Sequence, residues 1–414
     1  MKKKKKKKKN QKNVISSITE NESQFSLFEV IIIILISVIF GVIIGYLLTY
    51  GNSNLSRVRS DTNLGEIVSA YNNIVDNYYD DLDEKKVAES AIKGMISSLD
   101  DPYSTFLDKN STDTFNESVD GEYVGIGVTI EFQNEYNHIV SLLDDGPAKK
   151  AGLRVGDIII NIDGKDCKNL YSGDLSQLID GVEGTPLNIT VLRDNQELSF
   201  KVIRKKIEIE NVIGKVYDEN NHKIGYIKIK IFSSNSFSQF EELLTDLENK
   251  KIESLIIDLR DNPGGHLAQS KNILSMFFDK KTVLYQTESN GVRKKVYSIN
   301  DDVRDYPIVL LINGETASSA EVVVACFKDN YKNVEIIGTN SYGKGNVQKS
   351  VSLSNGTSIK FTIERWLTPK GKSISEIGVT PSILLEQSSK YFVDYLEEDD
   401  VQLQKAILEL TKES

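Results

Sequence analysis

Cysteine is almost absent from this chain: 414 residues contain two, Cys167 and Cys326. They fit no metal-ligand spacing and fall in different segments, so they read as unpaired thiols and exclude a disulfide framework. Histidine is nearly as scarce. His138, His222 and His266 are scattered, so no metal cluster and no cofactor are expected. Positive charge is scarce too once the first residues are set apart. Residues 2–9 are all lysine, and without them 42 basic residues face 60 acidic ones. So acidic a remainder excludes nucleic acid as a partner. Internal repeats are missing, and long apolar runs are missing with one exception.

That exception is residues 30–50, which carry no charge and are rich in Ile and Leu. At about 1.5 Å per residue the run matches a hydrocarbon core of roughly 30 Å. A signal peptide would have a shorter apolar region of about 7–15 residues and a small-residue cleavage site. Here "TYGNSNLSRVRS" comes next, without A-x-A. The expectation is an uncleaved single-pass anchor. The lysines precede it, so the N-terminus is cytoplasmic and the remainder extracytoplasmic, at the cell membrane. Gly41 and Gly45 make a G-x-x-x-G that can pair helices, though in an isolated span such spacing is usually incidental.

Residues 61–118 read as a helical segment. "LGEIVSAYNNIVDNYY" places Leu64, Ile67, Val68, Tyr71, Ile74 and Tyr78 near 3.6 spacing, and "DDPYSTFL" breaks the pattern at Pro102. From about 119 the period changes. "YVGIGVTIEF", "HIVSLL", "DIIINIDG" and "LNITVLRD" read as short strands, with "GPAKKAGLRVGD" as a glycine-punctuated helix between them. Residues 119–205 resemble a PDZ domain through Gly125-Ile126-Gly127-Val128 and Pro147-Ala148-x-x-Ala151-Gly152-Leu153-x-x-Gly156-Asp157. Such a domain adds a peptide as a strand and receives its terminal carboxylate on backbone amides. A small β-barrel without a ligand is the plainer alternative.

After a linker, "RKKIEIE", residues 206–386 alternate strands and helices, as an α/β core does. "ESLIIDLRD" is nearly continuously apolar, as suits a strand buried on both faces. Residues 387–414 read as a polar, acidic helical tail.

Three segments of this core carry chemistry. In "ETASSAEVVVACF", Ser318 and Ser319 sit where a strand and tight turn open a buried helix. That geometry exposes a hydroxyl and aims backbone N–H groups at one point, as an oxyanion requires. A plain N-cap is the alternative, with Glu321 completing a capping box. In "DLRDNPGGHL", Gly264 and Gly265 come after a proline and let bare backbone approach a substrate, or form only a turn. In "GTNSYGKGNVQ", Lys344 stands between two glycines. Gly338 to Lys344 matches the opening of a P-loop, but Gly345 replaces the Ser or Thr, and the stretch "NVQKSVSLSNGTSIKF" alternates like a hairpin. Nucleotide binding is therefore not expected.

Ser318 in T-A-S-S-A-E, Lys344 in Y-G-K-G-N-V-Q and D-L-R-D-N-P-G-G together resemble the C-terminal processing peptidases, or tail-specific proteases. "SLDDPYSTFL" and "LTPKGKSISEIGVTPSI" add to the resemblance, which covers about residues 64–385. With the anchor read from residues 30–50, it implies a multidomain α+β and α/β protein: a helical segment, a PDZ-like β-barrel, and a ClpP/crotonase-like α/β catalytic core. It implies a serine endopeptidase with Ser318 as nucleophile, Lys344 as general base and Gln348 orienting the lysine. The oxyanion hole would use the N–H groups of Gly264 and Ser319. Protein substrates would be recognised by their C-terminal tails at Gly125, Ile126, Gly127 and Val128, and a homo-oligomer or regulatory partner is left open.

Two departures from the family pattern matter. Ser319 stands where the family usually has Ala, so it competes on paper as nucleophile, and the stretch around "NYKNVE" is one residue longer. Ser318 is preferred because both flanks align. His266 leaves a Ser–His mechanism as the runner-up. Two other readings stay open beside the protease: a catalytically inactive PDZ adaptor tethered to the membrane, and a hydrolase of small acyl substrates.

Overall fold

The computed structural model describes residues 62–412, apart from 220 and 302. The lysine block and the apolar run 30–50 lie outside the described residues. Among those described, no helix is long and apolar enough to cross a membrane. The chain divides into two units, residues 1–91 and 92–414.

In the first unit α1 (Asn63–Asn77) starts at Thr62, whose hydroxyl accepts the Gly65 N–H at 3.2 Å. The helix ends at Tyr78, which is extended. α2 (Glu84–Ser97) begins after the acidic turn "YDDLD" and runs across the unit boundary. The single helical stretch expected from the pattern is thus broken. In the second unit Pro102 is followed by β1 (Thr105–Leu107) and only then by α3 (Lys109–Asp120), which Asp108 caps at Ser111.

Next come strands β2 (Glu122–Gly125), β3 (Val128–Gln133), β4 (Tyr136–Leu142) and β5 (Ile158–Ile162), with α4 (Pro147–Ala151) before β5. Then come β6 (Lys165–Asp166), α5 (Ser172–Ile179), β7 (Pro186–Arg193), β8 (Gln196–Ile203) and β9 (Lys205–Glu208). Strands β3-β4-β5-β7-β8 make one antiparallel sheet, with β6 on β5. Alternate residues of these strands, among them Ile139, Ile159, Leu187, Ile189 and Val191, fill one apolar core with Leu175 and the thiol of Cys167. The segment expected to be a linker is β9. It pairs antiparallel with β2, so both ends of this domain leave it as one two-stranded ribbon.

The core domain has β10 (Val212–Glu219), β11 (His222–Ile229), α6 (Ser236–Asn249), β12 (Ser254–Asp258) and α7 (Leu267–Ser275). The hairpin β13 (Val283–Ser289) and β14 (Val292–Tyr297) precedes β15 (Ile308–Ile312), α8 (Ser319–Asn330) and β16 (Val334–Gly338). It closes with β17 (Asn346–Ser352), β18 (Ser358–Leu367), β19 (Ile383–Leu384), α9 (Tyr391–Asp394) and α10 (Val401–Leu410). The main sheet runs β10-β11-β12-β15-β16-β19, parallel except for β10. β12 and β15 are buried throughout, as expected of central strands covered on both faces. Leu255, Ile257 and Leu310 point to one face, where Phe240, Ile273 and Val323 of α6, α7 and α8 cover them. Ile256, Val309 and Leu311 point to the other, covered by Leu403, Ala406 and Ile407. The tail expected to be polar and acidic therefore ends in an amphipathic helix that completes the core. A second sheet has the order β1-β18-β13-β14, with β17 on β18.

Candidate active site

Open parallel sheets place their functional groups beyond the C-terminal ends of the strands. Here the loops after β12, β15 and β16 carry Gly264, Ser318 and Lys344 respectively. A cleft of about 590 Å³ is lined by Gly265, His266, Ser318, Ser319, Lys344 and Gln348, together with Phe115, Lys360 and Trp366. Residues from three separate motifs thus meet in one cavity.

Ser318 caps α8 with φ 55° and ψ −118°. A non-glycine residue in that region costs about 1–3 kcal/mol, and such strain clusters at functional turns. The turn is tight because Gly264 lies against it. A Cβ at Gly264, whose φ is 103°, would stand 2.8 Å from Ser318 Cβ and 2.9 Å from the Ala317 carbonyl oxygen. Ser319 behaves differently. It is 2 % exposed, and its Oγ donates to the Gly265 carbonyl at 2.9 Å. One serine is thus held at the cleft with a strained backbone, and the other is tied into the wall.

The N–H of Ser319, first residue of the helix, has no intrahelical acceptor, and Ser319 lines the cleft. The Gly264 N–H donates to Asn262 Oδ1 at 2.8 Å, so in this geometry it is not free for an oxyanion. Its neighbour Gly265 lines the cleft, and among the described residues its N–H has no acceptor. Asn262 is itself buried and anchored by Nδ2 donating to the Ile229 carbonyl at 2.8 Å.

Lys344 sits in an extended loop pinned by its own backbone. Its N–H donates to Glu321 Oε2 at 2.9 Å, and its carbonyl accepts from Trp366 Nε1 at 2.9 Å. The Nζ lies 5.2 Å from the centre of the Tyr103 ring. Among the described residues it makes no ion pair. Burial pushes its pKa below the ordinary lysine value, and the nearby Lys360 ammonium pushes the same way; Asp101 and Glu321 oppose them. Burial likewise depresses Lys360, whose Nζ lies 5.1 Å from the Phe115 ring. The loop continues into β17, a strand, so the helix a P-loop requires is absent here.

Gln348 lines the same cleft, but its Nε2 donates to the Tyr103 carbonyl. Among the described residues no hydrogen bond joins it to Lys344. Sequence reasoning does not single out Tyr103, yet it touches both. Its loop is locked by Asp101, which accepts from Ser104 Oγ at 2.5 Å and Thr362 Oγ1 at 2.6 Å. The "SLDDPYSTFL" motif is the available signal; that it lies against a loop some way beyond the PDZ-like domain in sequence order could only come from the fold.

At the PDZ-like domain Gly125 ends β2 and Val128 opens β3, with Ile126 and Gly127 between. The Ile126 carbonyl accepts from Ala148 N–H at 2.9 Å and the Gly127 carbonyl from Leu143 N–H at 3.0 Å. Among the described residues their own N–H groups have no acceptor, the arrangement a carboxylate-binding loop requires. Both cysteines are buried and free.

A model of peptidase family S41 matches residues 223–385, one of the activating protease CtpB N-terminal domain matches 49–111, and one of a PDZ domain matches 138–193. The chain is 33 % identical over 350 residues to carboxy-terminal processing protease CtpB of Bacillus subtilis (strain 168), covering 84 % of this chain and 72 % of that one. It is 34 % identical over 357 residues to CtpA of the same organism, covering 84 % and 75 %. A solved photosystem II D1 C-terminal processing protease aligns at 25 % identity and TM-score 0.46, over 79 % of this chain and 88 % of the other. The chain belongs to the carboxy-terminal processing proteases of peptidase family S41, serine-type peptidases that here carry a PDZ domain.

Proposed function

We propose that this protein is a membrane-anchored, extracytoplasmic endopeptidase that uses Ser318 and Lys344 as a catalytic dyad on proteins whose C-terminal tails enter the PDZ domain. The observation that carries the dyad is the meeting of a strained, cleft-lining Ser318 with a half-buried Lys344, free of ion pairs among the described residues, in one cavity. Neutral Lys344 Nζ takes the Ser318 Oγ proton as Oγ bonds to the scissile carbonyl carbon. The carbonyl oxygen becomes an oxyanion, received by the Ser319 N–H and by a backbone N–H of the Gly264–Gly265 turn. Release of the Gly264 N–H by Asn262 would bring in the first of those two glycines; the Gly265 N–H needs no release. As the intermediate collapses, the C–N bond breaks and the lysine ammonium returns its proton to the leaving amine. Water, deprotonated by the same lysine, then attacks the ester carbonyl; the C–Oγ bond breaks and the lysine ammonium returns the proton to Ser318 Oγ. Gln348 shapes the lysine pocket through its bond to the Tyr103 carbonyl.

Anchoring rests on the uncharged run 30–50 behind the lysine block, and the outward orientation on that block's position. The free N–H groups at Ile126 and Gly127 support capture of a tail carboxylate by the PDZ domain.

The test is cleavage of an unstructured protein ending in small apolar residues, monitored by mass spectrometry, with the free and the amidated C-terminus compared. Cleavage that prefers the free carboxylate is expected. Tail binding without any cleavage would favour the membrane-tethered adaptor instead. His266 shares the cleft, so His266→Ala separates a Ser–His mechanism from the lysine one: most activity should remain, and a fall as deep as that of Ser318→Ala would refute the dyad. Deleting residues 120–205 asks what the PDZ domain does. Cleavage of tailed substrates is expected to fall; unregulated high activity would make the domain a lid rather than a delivery arm.

A further inference from the structure

Glu321 forms half of a capping box: its Oε2 accepts the Ser318 N–H at 2.8 Å. A cap needs only that bond and can be made by an exposed side chain. Glu321 is instead fully buried, 0 % exposed, and does three further things. The same Oε2 accepts the Lys344 N–H at 2.9 Å. Oε1 accepts the Gly343 N–H at 2.7 Å and the Ser341 Oγ–H at 2.6 Å. One carboxylate oxygen therefore bonds the backbone of both Ser318 and Lys344, which come from different loops.

The donors identify the charge state this arrangement uses. Ser341 Oγ accepts the Val379 N–H at 2.6 Å, so its own proton points to Glu321. All four neighbours donate, and only a carboxylate accepts from all four. Among the described residues no cation pairs with it. Burial pushes the carboxyl's pKa up while the four donors oppose that rise. Placing an unpaired charge at zero exposure is costly, and a helix cap does not require it.

We propose that Glu321 is a positioning residue that clasps the serine turn to the lysine loop and sets the separation at which Ser318 and Lys344 react. The inference rests on the reading of Ser318 and Lys344 as the reacting pair. The clasp joins backbone to backbone, so side-chain motion in the cleft does not loosen it. It also places a negative charge beside Lys344. Other charged or titratable groups around that lysine are Lys360 on β18, Asp101 and Tyr103 on the loop before β1, with Tyr342 and Glu376 beside Tyr103; His266 and Asp120 line the same cleft.

The experiment uses the full chain in detergent and measures kcat, KM and the pH dependence of kcat for Glu321→Gln, Glu321→Asp and Lys344→Ala. Gln is isosteric but turns an NH2 toward backbone donors. Its plateau kcat should fall by about 10²-fold, since a shift of about 1 Å in a reacting pair has that effect. KM should change little. Loss of the negative charge lets Lys344 lose its proton more easily, so the acid limb should move to lower pH. Asp keeps the charge but is one methylene short: the limb should stay in place and kcat should recover in part. A wild-type plateau in Glu321→Gln, or a reduced plateau whose acid limb does not move, overturns the proposal. If the Gln variant does not fold, a wild-type kcat in Glu321→Asp overturns it instead. Lys344→Ala keeps the two ideas apart. If it cleaves like the wild type, the dyad fails and the clasp with it; if it is inactive while Glu321→Gln is normal, the clasp alone fails.

Discussion

Ser318→Ala should abolish cleavage, with kcat falling by about 10⁴-fold or more, as loss of a covalent nucleophile does elsewhere. Ser319→Ala, one residue away, should keep most of it. The two hydroxyls differ by environment. Ser318 is half-buried at the cleft on a backbone that glycine at 264 allows to turn sharply. Ser319 is buried with its proton given to the Gly265 carbonyl. Removing that bond costs about 1 kcal/mol of stability, and the Ser319 N–H, proposed to receive the oxyanion, is retained in alanine. Steady-state kinetics on one peptide substrate decide the matter. Equal losses in the two variants, or a greater loss at Ser319, would overturn the assignment of Ser318 as nucleophile.

The second large effect concerns Lys344. A free lysine titrates near 10.4 and is protonated at neutral pH, so it cannot act as a base there. Burial and the neighbouring Lys360 lower its pKa, and in the proposed dyad the neutral form is the base. Below the folded pKa, kcat should rise about tenfold per pH unit, and it should level off once the lysine is neutral, at a pH lower than an exposed lysine would give. Lys360→Gln removes a positive neighbour, so the lysine holds its proton more tightly and the acid limb should move to higher pH. Lys344→Ala should lower kcat nearly as far as Ser318→Ala, and Lys344→Arg should not rescue it, because guanidinium stays charged. A pH profile flat from acid to alkaline, with chemistry limiting the rate, would remove Lys344 from the role of base.

Much of the architecture is legible in the sequence because its signals are local. β12 and β15 are uninterrupted apolar runs, and α6 shows its apolar face at helical spacing. The segments that mislead are those whose structure depends on a distant partner. "RKKIEIE" has five charged residues in seven and looks like a linker; its strand pairs with β2. The helix α10 carries enough polar residues to look like a solvated tail, yet three small or apolar side chains suffice once a sheet face awaits them. The hairpin β13–β14 gives little signal because one of its strands is largely exposed, with "RKK" near its centre.

The sequence by itself determined which side chains can react: a serine opening a buried helix, a lysine between glycines, and a Pro-Gly-Gly turn, in an order that a family of proteases shares. Chemical identity and local spacing are written in one dimension. Which serine is held at the cleft, which N–H is already taken by Asn262, and what Glu321 grips were decided by tertiary structure. Those facts are hydrogen bonds and close contacts between loops that fold together only when the strands beneath them align. A glutamate three residues after a serine looks the same as a cap or as a clasp until the lysine loop arrives to donate its backbone.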